Sequence, residues 1–106
     1  MAMSYSLFVE PEVHAARRLL PGHIRQRIHR VISDFADTPR PTNSRPLTDQ
    51  EITLPPGVEI RRVRLEHWRI VYAVHDVEQW VWVLAIHRRP PYDHTDLPEL
   101  VKKLPK

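Results

Sequence analysis

The chain has 106 residues, 42% of them hydrophobic, and a formal net charge of +3. That length fits one domain, 1–106, with one modest core. There is no cysteine, which excludes a disulfide framework and a thiolate metal site and suits a reducing cytoplasm. No apolar run approaches the roughly 18–20 residues of a membrane span, and the start MAMSYSLFVEPE lacks the features of a signal peptide. A cytoplasmic protein without a membrane partner is the expectation.

Tyr5 to Val9 predicts a short strand. Pro11 and Glu12 suit the first turn of a helix over about 11–20 that carries Val13, Ala16, Leu19 and Leu20, and Pro21-Gly22 ends it. Ile24, Ile28, Val31, Ile32 and Phe35 form one apolar stripe at helical spacing, so a second helix over 23–37 should pair with the first as an antiparallel hairpin. Residues 38–57 are rich in proline and polar side chains and predict a long loop, anchored by Leu47 and Leu54.

Three strands are predicted next, over about 58–65, 69–76 and 79–87, with turns at 66–68 and 77–78. In the first, the apolar positions change parity between Ile60 and Val63, which predicts a bulge near Arg61 and Arg62. The last is apolar on both faces, with Trp80, Trp82, Leu84 and Ile86 on one and Val81, Val83 and Ala85 on the other. Such a strand belongs in the interior of a sheet. Asp96-x-x-Glu99, with Pro98 in the first turn, has the form of a capping box opening a short C-terminal helix, DLPELVKKL. The order is strand, helical hairpin, three-stranded antiparallel meander, short helix: an α+β fold with the helices on one face of the sheet and room for a site on the other.

Charge is unevenly placed. Positions 14 to 46 hold seven arginines against two acids, and only three of the 16 basic residues are lysine. Arginine favours planar, bidentate contact with phosphate, although GC-rich coding also raises its use. Arg25 and Arg30 lie off the stripe of the second helix, either as a solvated face or as a contact for RNA phosphates. Arg61, Arg62 and Arg64 make a basic strand, which by itself suggests only a solvated face. Trp80 and Trp82 suggest core, or a partner groove. The stretch AIHRRPPYDH closes the most hydrophobic run with His87, Arg88, Arg89, Tyr92 and His94 around Pro90-Pro91. Arg88 and Arg89 are consecutive and face opposite ways on a strand, so at most one reaches a shared ligand. His87 suits either a satisfied strand histidine or a site group. No His/Asp/Glu group has metal-ligand spacing.

Arg45-Pro46-Leu47, then Val63-Arg64-Leu65 leading to Trp68-Arg69-Ile70-Val71-Tyr72, then His87-Arg88-Arg89-Pro90-Pro91-Tyr92, together resemble the RelE/ParE toxin superfamily of bacterial toxin–antitoxin systems, over nearly the whole chain. The RelE branch of that family implies a ribosome-dependent mRNA endonuclease. It works without metal or other cofactor, by attack of the RNA 2′-hydroxyl on its own phosphate, and is held in check by an antitoxin. The ParE branch implies inhibition of DNA gyrase without nuclease activity. An inactive, partner-binding relative is the third alternative. The resemblance gives Tyr92 the place of the C-terminal tyrosine, Arg88 or Arg89 that of the arginine before it, and Arg69 that of the arginine in the strand motif. Arg62 and Arg64 stand near the family's strand lysines. ParE-like members generally lack this basic-plus-tyrosine set. His67-Trp68-Arg69 departs from the more usual Gly-x-Tyr-Arg, and arginine replaces lysine on the strand. Arginine stabilises charge but shuttles protons poorly, since its pKa is about 12.5 or more. His87 and His94 are left as acid–base partners for Tyr92, whose own unperturbed pKa is about 10.

Overall fold

The computed structural model describes residues 4–47, 53–88 and 97–104. Strand β1 (Ser6–Val9) leads into helices α1 (Pro11–Arg18) and α2 (Gly22–Asp34); β2 (Ser44–Pro46), β3 (Val58–Leu65), β4 (Trp68–His75), β5 (Trp80–Arg88) and helix α3 (Leu97–Val101) follow. One five-stranded sheet has the order β1-β5-β4-β3-β2. The meander β3-β4-β5 and the β2–β3 pair are antiparallel, whereas β1 lies parallel to β5. The α+β expectation holds, with one strand more than the sequence suggested.

Local chemistry explains each helix. Pro11 opens α1, Glu12 sits in its first turn and Arg17 and Arg18 in its last, which complements the helix dipole. In α2, Ile24, Ile28 and Ile32 are buried at i, i+4 and i+8, and Phe35 follows at the C-cap with its N–H donating to the Ile32 carbonyl at 3.1 Å. These residues pack on Val63, Ile70, Tyr72, Val74, Val81, Val83 and Ile86, the first core. Phe35 stacks on Tyr72 with ring centroids 4.1 Å apart, and both are fully buried. The Tyr72 hydroxyl donates to the Pro39 carbonyl at 2.7 Å, and burial pushes this phenol up.

The opposite face carries a second core of Ile60, Val71, Ala73, Leu84 and Ala85 under α3, with Leu100, Val101 and Leu104. The expectation of helices on one face therefore applies to α1 and α2, and α3 crosses to the other. Leu47 and Leu54 anchor the 38–57 loop here as expected, and Trp80 and Trp82 are half-buried against the same cluster. Two cores explain the apolar parity in β3 without a bulge. Ile60 pairs with Ala73 and Val63 with Ile70 in unbroken register, and they point to opposite faces. The irregularity falls instead in β5, opposite the Val71–Tyr72 step, where Leu84 is the extra residue. It carries Ile86 to the hairpin face and Ala85 to the other, the reverse of their expected sides. The proposed cap Asp96 lies outside the described residues.

Two pieces of loop chemistry yield measurable consequences. Gly57 has a φ of +82°, and a Cβ there would come within 2.9 Å of the His75 ring. Gly57→Ala should cost about 1–3 kcal/mol in urea unfolding, from the left-handed backbone and the contact together. Arg40 ties its loop to β3 and to the β4–β5 turn: its Nη1 and Nη2 donate to Asp76 at 3.0 and 2.9 Å, and its Nε to Glu59 at 3.0 Å. The Tyr5 hydroxyl donates to the same Asp76 at 2.7 Å. The Arg40 hydrogen bonds first, then that of Tyr5, hold the Asp76 carboxyl below its ordinary value of 3.8. A depressed carboxylate stabilises the fold fully above its unfolded-state value, and that contribution is lost as pH falls through the lower folded-state value. Asp76→Asn should therefore flatten the acid limb of the stability profile below about pH 4, read from urea midpoints.

Candidate functional site

Register decides which basic residues meet. Arg64 of β3 pairs with Arg69 of β4, and Arg69 pairs with His87 of β5. Directly opposed residues share a face, so the three form one row across the sheet. The next row holds Arg45 of β2, Arg62 of β3, Val71 and Ala85. Val71 and Ala85 belong to the second core, so both rows lie on the face away from α1 and α2. Four arginines and a histidine thus gather on one side of one end of the sheet.

The β5 bulge selects the histidine. Beyond it, towards the β4–β5 turn, Tyr72 pairs with Val83; before it, Val71 pairs with Ala85 and Arg69 with His87. An unbroken ladder would put Ile86 opposite Arg69 and turn His87 to the hairpin side. The extra residue exchanges an apolar side chain for an imidazole at that point.

The register brings like charges together. Arg45 faces Arg62, and Arg64 faces Arg69, and like charges directly opposite on a sheet repel. Arg45 and Arg64 are exposed, Arg62 is partly exposed, and Arg69 is buried at 2% exposure. Arg27, Arg40, Arg61, Lys102 and Lys103 are engaged in ion pairs, whereas Arg45 and Arg64 have none among the described residues. A surface built this way suits an anionic ligand. His87 also borders a cleft of about 180 Å³ between α1, β5 and α3, lined by Val13, Leu84, Leu100 and Lys103. No group of three or more His, Asp or Glu side chains that could hold a metal occurs among the described residues.

Other expected site residues fall elsewhere. Arg61 pairs with Tyr72 on the hairpin face and is committed there: its Nη1 donates to Glu59 at 3.0 Å and its Nη2 to the Ser44 hydroxyl at 2.8 Å. It does not join Arg62 and Arg64, because consecutive strand residues alternate faces. Arg88 pairs with Trp68, which packs on the first core, so it too lies on the hairpin side and apart from His87. Arg25 and Arg30 are exposed on α2. Arg89, Tyr92 and His94 lie outside the described residues. Arg45 was missed as a site residue. Its signal was the Arg45-Pro46-Leu47 motif, which forms a short edge strand with proline at an edge position.

Solved structures share this fold. An archaeal RelE–RelB complex from Pyrococcus horikoshii OT3 superposes with a TM-score of 0.71 over 85% of this chain and 100% of that one, at 19% identity. The fold is that of RelE toxins. The RelE-like sheet and helices recur in the toxin–antitoxin complex RelBE2 from Mycobacterium tuberculosis, with a TM-score of 0.63, 18% identity, and 81% and 99% of the two chains covered. They recur again in a doubly arginine-substituted E. coli RelE in the free state, at 0.60, 19%, and 95% and 97%. No protein-family model and no curated protein matches the sequence. The RelE likeness is thus carried by architecture. No helix among the described residues is long and apolar enough to cross a membrane.

Proposed function

We propose that this chain is the toxin of a toxin–antitoxin pair and cuts mRNA on the ribosome. The observation that carries the proposal is the two pairs of opposed arginines, Arg45 with Arg62 and Arg64 with Arg69, beside His87 on the sheet face away from the hairpin. The RelE fold supports the same reading.

In the proposed reaction the RNA 2′-oxygen bonds to the adjacent phosphorus and the bond from phosphorus to the 5′-oxygen breaks. The products are a 2′,3′-cyclic phosphate and a 5′-hydroxyl. One proton leaves the 2′-hydroxyl and one reaches the departing oxygen. Arg62 and Arg64 offer guanidinium groups to the non-bridging oxygens, where charge grows in the transition state. Arg69, buried under this face, adds a fixed positive charge and orients its neighbours. His87 and Tyr92 are the acid–base candidates, with Arg89 rather than Arg88 as the flanking cation. RNA and the ribosome are the substrate partners. The other partner is an antitoxin with an acidic toxin-binding segment; similar folds are known in complexes with RelB.

Induced expression tests the proposal. The wild-type chain should arrest growth and fragment cellular mRNA, and co-expressed antitoxin should reverse both. Growth arrest with intact mRNA and relaxed plasmid DNA would replace the nuclease with a gyrase inhibitor.

A further inference from the structure

The outer edge of β5 brings two further charged side chains beside the sheet-face site. β1 pairs with β5 only from Trp80 to Val83. The chain then leaves the sheet at Glu10, whose N–H donates to the Val83 carbonyl at 3.1 Å, and enters α1. From Leu84 onwards β5 has no strand beside it on that edge among the described residues. α1 and α3 flank it instead, with the cleft of about 180 Å³ between them. Glu12 of α1, His87 of β5 and Lys103, just past α3, all line this cleft. Lys103 Nζ lies 3.5 Å from Glu12 Oε1, so the two bridge the helices at the edge that carries His87.

The place of Lys103 is fixed by its neighbours. Leu100 and Leu104 are buried in the second core, and the Lys103 N–H donates to the Leu100 carbonyl at 3.1 Å. Its side chain is 32% exposed, against 70% for Lys102, which pairs with Glu99 and faces water. The Glu12 backbone N–H first, then Lys103, hold the Glu12 carboxyl below its ordinary value of 4.5, so it stays ionised wherever an imidazole titrates. Among the described residues the charges around His87 are Arg69 directly opposite on β4, Arg64 beyond it on β3, Glu12 from α1 and Lys103 from the α3 side. Arg88 faces the other way. Glu12 is the single negative charge in this set.

We propose that Glu12 and Lys103 are positioning residues for His87, setting from the β5 edge how readily its ring takes up a proton. Guanidinium groups alone disfavour an imidazolium. Glu12 restores the capacity of the ring to accept a proton, and Lys103 limits that effect. As a surface ion pair the two add little to stability, so their consequence lies in the charge they place beside the ring. In cleavage the ring accepts the 2′-hydroxyl proton or donates one to the departing 5′-oxygen, and that role rests on the function proposed above. The electrostatic coupling itself does not.

The test follows the His87 ring by NMR across pH in the full chain, with its resonance assigned by loss in His87→Gln. Glu12→Gln should lower the titration midpoint and Lys103→Met should raise it, each by about 0.3–1 pH unit. Lys103→Arg keeps the charge and should leave the midpoint within about 0.2 unit of wild type. Opposite shifts separate charge from a structural disturbance, which would move both variants the same way. The pH profile of ribosome-dependent cleavage should move in step with each midpoint, with little change in KM. Midpoints unchanged in both variants, or moved in one direction by both, would overturn the proposal. So would shifted midpoints that leave the cleavage profile in place. A wild-type chain that cuts no mRNA would overturn the nuclease reading instead, and the ring titration would still decide the coupling.

Discussion

Arg64→Gln is expected to lower ribosome-dependent mRNA cleavage by about 10²–10³-fold while leaving the unfolding midpoint nearly unchanged. The rate loss is that of removing one donor from a site where transition-state charge accumulates. The stability expectation follows from position: Arg64 is exposed, has no ion pair among the described residues, and faces another arginine. Removing one member of a like-charge pair should be neutral or slightly stabilising. Arg69→Gln should match it in rate but also perturb folding, because Arg69 is only 2% exposed. The combination is diagnostic. A variant that loses cleavage and keeps or gains stability marks a functional charge, and single-turnover cleavage together with urea unfolding reads both. Full cleavage by Arg64→Gln would remove the arginine row from the mechanism. Arg61→Gln is the internal control. Its guanidinium is tied to Glu59 and Ser44 on the hairpin face, so cleavage should change little.

The largest stability effect is expected at Phe35. Its ring is fully buried and stacked on Tyr72, between α2 and the centre of the sheet. Phe35→Ala should cost about 3–5 kcal/mol, the range for truncating a buried aromatic. A domain of this size has roughly 5–15 kcal/mol in all, so the variant should sit near its unfolding threshold at growth temperature. Phe35→Leu keeps most of the volume and should cost markedly less. A loss below about 1 kcal/mol for Phe35→Ala would mean that the hairpin does not rest on the sheet through this contact.

Much of this architecture was legible in the sequence because its signals are local. Ile24, Ile28 and Ile32 recur at helical spacing and are buried as that spacing requires. The turn at Glu66 and His67 fixes the β3–β4 register, so the pairing of Arg64 with Arg69 was in principle within reach of the sequence. The features that were missed are those with no local signal. β2 is three residues long, contains a proline and has no apolar alternation, so only pairing with β3 reveals it, and with it Arg45. The bulge at Leu84 is silent because both faces of β5 are apolar, so a slip of one residue leaves the hydrophobic pattern intact. That same slip decides that His87, and not Ile86, meets Arg69. The parity change between Ile60 and Val63 suggested a bulge only under the assumption of a single core. With a core on each face of the sheet, an odd spacing needs none. Local signals place Glu12 in the first helix and Lys103 in the last, but their contact depends on how α3 crosses to the other face of the sheet.

The central claim, that the arginine face cuts mRNA on the ribosome, is met most directly by a cell-free translation reaction containing the purified protein, with mRNA integrity followed by primer extension with and without ribosomes. Cleavage is expected in the presence of ribosomes, none on naked mRNA, and loss of the cuts with Arg64→Gln. Intact mRNA in both reactions, with protein that is folded by circular dichroism, would contradict the claim.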